Sequence, residues 1–352
     1  MKKFAVFAMF VLAVALMLTA CGTDSKEKSS APKKVSIVAT IYPQYDWLKN
    51  VLGDRVDAVD LKLLIKNGTD LHSYKPSAQD IAAIASADMV VYVGGESDEW
   101  IEKALSATSK ASRVQVNLVQ ALGDRVKEEE VVEGMQAEEH EHHHEHGEEA
   151  EEHEHEHHEH AEAHEDHDHH EEAENDEHVW LSLKNAVILV NRIAEALAKV
   201  DSENAETYKA NASAYIAKIQ ELDGSYAAAT SSAEGKTVLF GDRFPFRYLV
   251  DDYGIKYFAA FVGCSAESEA SFETVAFLAG KMDSLALPAI FTIDGGNGKI
   301  ARAILDASKK SKDVPVLTLN SMQSVTDAQM QSGVDYLSIM QSNLEVLKKA
   351  LK

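Results

Sequence analysis

Of the 16 histidines in this 352-residue chain, 14 crowd into one stretch, and outside it only His72 and His178 remain. A neutral imidazole is the commonest protein metal ligand, because one ring nitrogen can bind while the other is held by a neighbour. Carboxylates that could join the pair follow apolar, strand-like runs: Asp242 after Thr237–Gly241 and Asp294 after Ala289–Ile293. In parallel α/β sheets, ligands gather beyond the carboxyl ends of strands. Two imidazoles and two carboxylates make a four-coordinate set for a divalent transition metal. His72, His178, Asp242 and Asp294 are therefore the candidate metal ligands. An Asp after a strand also serves as a turn former or helix cap, so spacing alone does not bring the four together. Cys264 reads as a small buried hydrophobe, with a ligand or redox role the rarer alternative.

The crowded stretch offers chemistry of another kind. Residues 128–177 hold 24 Asp and Glu and no Lys or Arg. Within them lie His140, His142, His143, His144, His146, His153, His155, His157, His158, His160, His164, His167, His169 and His170. Many weak, exchangeable ligands suit auxiliary metal capture. The surrounding negative charge raises imidazole pKa values, so capture weakens in acid. Two HExxH strings occur, at His140–His144 and His153–His157. Peptidase chemistry needs that motif on a helix with an apolar back. Here every neighbour is Glu or His, so the strings follow from composition and no enzyme is expected. With so few apolar residues, 127–177 cannot bury a core and is expected to be a disordered loop.

The net charge of −24 belongs to this stretch, since the rest carries 34 acids against 34 bases. No basic footprint is left for nucleic acid. At 45% apolar, the remainder can bury a core, and its length suggests two domains. At the N-terminus, Lys2 and Lys3 precede an apolar run from Phe4 to Leu18, the pattern of a secretory signal. That run is shorter than the roughly 20 residues a spanning helix needs. Leu18-Thr19-Ala20-Cys21 resembles the bacterial lipobox, in which the Cys carries lipid. The expectation is a signal peptide over 1–20 and a lipid-anchored tether over 21–34, Cys21 being lipidated. The protein is then exported and held on the outer face of the cytoplasmic membrane.

Apolar runs alternating with helical patterns must position the candidate ligands. Strands are expected at Val35–Thr40, Val56–Ile65, Met89–Val93 and Val114–Leu118. Between them fall helices Tyr45–Leu52, closed by Gly53, and Asp98–Leu105, and one opened by a Ser77/Asp80 capping box. Ser182 caps a helix to about Val200, and Ser202–Ala229 continues as a long connector. A second block follows, with strands Thr237–Gly241, Lys256–Phe261, Ala289–Ile293 and Val314–Leu319. Its helices are Phe244–Tyr253, Ser271–Leu285 and Ile300–Ser308, and Thr326 caps a last one with the stripe Met330, Val334, Leu337, Leu344. Strand–helix alternation with apolar strands predicts an α/β fold with parallel sheets. The boundaries read as an N-terminal lobe over 35–200, a connecting helix over 201–233 and a C-terminal lobe over 234–352.

Several stretches together resemble the cluster-9 metal-binding proteins of bacterial ABC importers, in particular the zinc-uptake (ZnuA/AdcA-like) branch. They are Thr40-Ile41-Tyr42-Pro43, Asn67–Ser77 with its His72-Ser73-Tyr74-Lys75-Pro76, Tyr92–Glu96, His178-Val179-Trp180-Leu181-Ser182 and Gly263–Glu267. The resemblance implies two α/β lobes joined by a long helix, one metal in the cleft between them, and handoff to a membrane permease driven by a cytoplasmic ATPase. It implies a monomeric binding protein without turnover. In the family's pattern His72 and His178 match the first two ligands and Asp294 the last. The third is commonly His in zinc members, whereas Phe240-Gly241-Asp242-Arg243-Phe244 has none. Asp242 is the best substitute there, with Glu267, Glu269 or a His of the acidic stretch as alternatives. The transported ion is expected to be Zn(II), with Mn(II) or Fe(II) the alternative for so hard a donor set. Rival functions are a surface zinc reservoir or adhesin without transport, and a zinc hydrolase resting only on the HExxH strings.

Overall fold

The computed structural model describes residues 34–108, 110–136, 174–265 and 269–351. Cys21, the 14 histidines from His140 to His170, and Glu267 lie outside the described residues. In the first lobe, β1 (Ser36–Ala39), β2 (Asp60–Leu63), β3 (Met89–Tyr92) and β4 (Val114–Asn117) form a sheet ordered β2-β1-β3-β4. The second lobe repeats that order as β6-β5-β7-β8, with β5 Thr237–Phe244, β6 Lys256–Val262, β7 Ile290–Ile293 and β8 Val316–Leu319. Every pairing is parallel. The central strands are apolar on both faces, as a sheet covered by helices on two sides requires. Ile37, Val38 and Ala39 of β1 and all four residues of β3 are buried.

The first-lobe helices are α1 (Tyr42–Leu52), α2 (Ala78–Ser86), α3 (Glu99–Ala107) and α4 (Leu118–Leu122). Two helices follow almost without a break, α5 (Leu183–Val200) and α6 (Ala205–Ser231). The second lobe adds α7 (Arg247–Tyr253), α8 (Phe272–Leu285), α9 (Lys299–Ala307), α10 (Asp327–Gln331) and α11 (Tyr336–Ala350). At about 1.5 Å per residue, the 27 residues of α6 span roughly 40 Å, enough to pass both sheets. Its buried stripe holds to α1 through Tyr215 Oη on Asp46 Oδ2 at 3.2 Å, and to α11 through Tyr226 Oη on the Met340 carbonyl at 2.6 Å. One helix thus bonds both lobes. Among the described residues no helix is long and apolar enough to cross a membrane.

Several elements differ from expectation for local reasons. The expected strand from Val56 begins as a 3-10 turn, Gly53–Ala58, whose Asp54, Arg55 and Asp57 remain accessible, and pairing starts only at Asp60. The single last helix is interrupted at Gly333, which takes φ of 87°, and becomes α10 and α11. β5 runs three residues past Gly241, with a register shift against β6 between Phe240 and Arg243. Such a bulge re-aims the side chains it carries. Residues 127–136 are irregular chain tied down at several points: Glu128 bridges Asn175, Met135 is buried, and Gln136 N donates to the Ala260 carbonyl of β6 at 2.9 Å. The acidic stretch therefore leaves from the edge of the second sheet.

Candidate metal centre

After β2, Asn67 and Gly68 turn the chain with φ of 59° and 77° into a 3-10 turn, Leu71–Ser73. Asp70 caps this turn by accepting from His72 N at 3.0 Å, and Leu71 is buried beneath it. His72 then lies between two partners: Nδ1 is 2.6 Å from Ser97 Oγ, and Nε2 is 3.2 Å from Nε2 of His178. His178 heads a second 3-10 turn, Val179–Leu181, whose three apolar side chains are buried. Its main-chain N and its Nδ1 both donate to Asp176 Oδ1, at 2.8 and 3.0 Å. A carboxylate can only accept, so the proton sits on Nδ1 and Nε2 of His178 presents a lone pair.

Ser97 N donates to Glu177 Oε1 at 2.7 Å. Gln323 Nε2, which can only donate, lies 2.8 Å from His72 Nε2, so the ring proton is on Nδ1 and Ser97 Oγ accepts from it. Nε2 of His72 therefore carries a lone pair as well. Consecutive residues Asp176, Glu177 and His178 thus supply one imidazole and the carboxylates behind both rings. Burial first, then His178 and the Arg243 guanidinium, push the His72 pKa down to about 2, so the ring is neutral.

Two lone pairs facing each other at 3.2 Å need a donor or a cation between them. In this structure Gln323 Nε2 fills that role, 2.8 Å from His72 Nε2 and 3.1 Å from His178 Nε2. Gln323 follows β8 in the second lobe. Its loop is held by Trp180, whose indole N–H donates to the Ser321 carbonyl at 2.9 Å. Trp180 is fully buried, which at about 25 cal/mol per Å² over roughly 150–250 Å² stabilises this junction by about 4–6 kcal/mol.

One further group approaches. Among the described residues, the ligand atoms of His72, His178 and Cys264 all lie within 4.8 Å of one another. Cys264 comes just after β6, and its N donates to Glu129 Oε1 at 3.1 Å. Burial raises the thiol pKa, and the nearby Glu129, Glu177 and Asp176 raise it further. A Cβ on the preceding Gly263 would lie 2.9 Å from His178 Cε1, so only glycine lets this backbone pass the imidazole. Cys264 was legible as a residue at a strand's carboxyl end, the same rule that singled out the two aspartates.

Asp242 and Asp294 do not join the cluster. Asp294 accepts from the Ser321 and Ser324 hydroxyls at 2.7 and 2.6 Å, so its oxygens order the loop that carries Gln323. Asp242, turned by the bulge in β5, accepts from Arg243 N at 3.0 Å and Ile293 N at 3.3 Å. Both instead line a cavity of about 320 Å³ with Asp70, Arg243 and Ser324, where Arg243 is ion-paired to Asp70. Glu269 is exposed and outside the cluster. What assembles is two imidazoles backed by carboxylates, a thiol and a carboxamide, from both sheets. Such a site can bind a borderline-soft divalent cation.

Comparison with known proteins gives the chain's family. The sequence profile of the family described as "Zinc-uptake complex component A periplasmic" matches residues 37–350. The zinc-binding lipoprotein AdcA of Streptococcus pneumoniae is 32% identical over 335 residues, covering 95% of this chain and 58% of that protein. The chain thus spans 58% of that streptococcal relative's length. The high-affinity zinc uptake system protein ZnuA of Bacillus subtilis is 30% identical, with 97% of each chain covered. The crystal structure of the Zn(II)-bound ZnuA-like domain of S. pneumoniae AdcA superposes with a TM-score of 0.65 at 29% identity, covering 90% of this chain and 99% of that one. With the profile matching nearly all of the described residues and the Bacillus protein aligned end to end, this chain belongs to the ZnuA family of zinc-uptake component A proteins.

Proposed function

We propose that the protein is an extracytoplasmic solute-binding protein that captures Zn(II) in the cleft between its lobes and delivers it to an ABC permease with a cytoplasmic ATPase. The observation that carries this reading is the pair of imidazole nitrogens 3.2 Å apart, each with its other ring nitrogen held. A tetrahedral zinc with Zn–N near 2.05 Å needs its nitrogens about 3.3 Å apart, so the pair is already at bonding separation. His72 and His178 are the direct ligands. Asp294 acts through the Ser321–Ser324 loop, and Asp242 contributes negative charge to the wall of the cleft. All protein positions serve capture, and no turnover is involved.

In the same reading residues 1–20 are cleaved, Cys21 carries lipid, and 21–34 tether a monomer to the outer face of the membrane. Residues 35–200 and 234–352 are the lobes, with 201–233 connecting them. The histidines from His140 to His170 gather zinc weakly for the cleft. Zinc content of the full chain after dialysis against a zinc-buffered chelator tests the reading. The expected result is one tightly held zinc per chain, absent from His72→Ala and from His178→Ala. Equal content in wild type and both variants would leave only the acidic stretch as a binder and overturn it. One manganese in place of zinc would keep transport and change the cargo.

A further inference from the structure

We infer that Cys264 is the third protein ligand, binding the metal as a thiolate beside His72 and His178. This inference rests on the function proposed above and specifies its donor set. Around a tetrahedral zinc, with Zn–S near 2.3 Å, a sulfur sits about 3.6 Å from each ligand nitrogen. Sγ of Cys264 is within 4.8 Å of both histidine ligand atoms, so closing the sphere takes a movement of at most about 1.2 Å. The backbone is already aimed, because Gly263 passes the His178 ring without a side chain and Glu129 holds Cys264 N at 3.1 Å.

The segment expected to supply a third ligand is closed. A Cβ on Gly241 would lie 2.4 Å from the Ala301 Cα of α9, so no side chain fits there. Arg243 is ion-paired to Asp70, and Asp242 holds the main chain of Ile293. Cys264 reaches the place from the neighbouring strand, β6, instead. On coordination the S–H bond gives way to a sulfur–metal bond. The electron pair stays on sulfur, the proton leaves to solvent, and no redox change occurs. A thiolate softens the site, favouring Zn(II), Co(II) and Cd(II) over Mn(II).

The test uses the full chain carrying Cys21→Ser, which leaves Cys264 as the only thiol because the sequence has two cysteines. Metal-free protein is titrated with Co(II) under anaerobic conditions. The expected result is a near-ultraviolet thiolate-to-cobalt charge-transfer band that saturates at one equivalent and is bleached by zinc. The acidic stretch has no cysteine and cannot produce it. In Cys264→Ser the band should vanish and the zinc-over-manganese preference fall by about tenfold or more. One tightly held cobalt without the band overturns Cys264 as a ligand and leaves the zinc-binding reading standing. No cobalt beyond that retained by His72→Ala overturns both. The band in the unsubstituted site decides the matter even if Cys264→Ser folds poorly.

Discussion

If His178 binds zinc as proposed, Asp176 should set how well it does so, and the size of the effect follows from the contacts. One oxygen, Oδ1, accepts both the main-chain N–H and the ring N–H of His178, at 2.8 and 3.0 Å. The two side chains are 0% and 4% exposed, so water neither screens nor replaces the contact. Metal on Nε2 draws charge from the ring and makes Nδ1–H a stronger donor. With the carboxylate as acceptor the bond is charge-assisted and worth about 1.5–3 kcal/mol, whereas a neutral acceptor in its place gives about 0.5–1.5 kcal/mol. The difference, about 1–1.5 kcal/mol or roughly 5–13-fold in affinity, is what a neutral acceptor should forfeit once metal sharpens the ring N–H. Asp176→Asn keeps an acceptor oxygen and loses the charge, so it should weaken zinc binding by that factor. Asp176→Ala also frees the ring to turn and change tautomer, and its loss should reach about 10–100-fold. Competition against a chromophoric chelator at fixed pH gives both numbers, with circular dichroism confirming that the variants fold. Folded variants that both bind zinc within about twofold of wild type would refute the argument.

Two other perturbations test the same site. Gly263→Ala places a methyl 2.9 Å from His178 Cε1 and 3.0 Å from the Phe244 carbonyl, so the ring must shift; zinc affinity should fall about tenfold in the same competition assay. For His72 the folded pKa, about 2, lies below the unfolded value near 6.5, so the unfolded chain takes up the proton first. Its contribution to stability is whole above about pH 6.5 and is lost as pH falls toward 2. Asp98 works in the opposite sense, because burial raises its carboxyl to about 7, so the comparison must be between proteins. Asp46, raised to about 6, acts like Asp98, so the readout is the difference: the urea midpoint of metal-free His72→Gln should rise relative to wild type as pH falls from 6.5 to 4.5.

Most of the framework could be read from local signals. Apolar runs on covered strands, and Ser77, Ser182 and Thr326 as helix caps, fall where the structure has them. The misreadings share a cause: a distant partner decided the outcome. Residues 127–136 look like part of an acidic low-complexity run, yet Met135 is buried and Gln136 pairs with β6, more than 120 positions away. Asp176 and Glu177 share that composition, which hid their place behind the two imidazoles. His72 and His178 stood out because all the other histidines fall in the acidic stretch, and the described residues hold only these two. Asp242 and Asp294 satisfied a rule about strand ends that turn-forming aspartates satisfy equally well. Cys264 satisfied it too, and was passed over because single cysteines are usually packing residues.

Gln323 shows why such a site can both hold and release a cation. Buried imidazole lone pairs left without a partner would each cost about 1–3 kcal/mol, which would strain the empty site. The amide donates to both, at 2.8 and 3.1 Å, so the empty form is satisfied. A metal bonded to both nitrogens occupies the same wedge, so the amide must leave it first. Replacing two neutral hydrogen bonds costs the metal about 1–3 kcal/mol, or roughly 5–150-fold in affinity. That competition is carried by the second lobe, through a loop fixed by Asp294 and Trp180, whereas His72 belongs to the first. A metal and the amide would therefore compete for one wedge, without any change in protonation of the histidines.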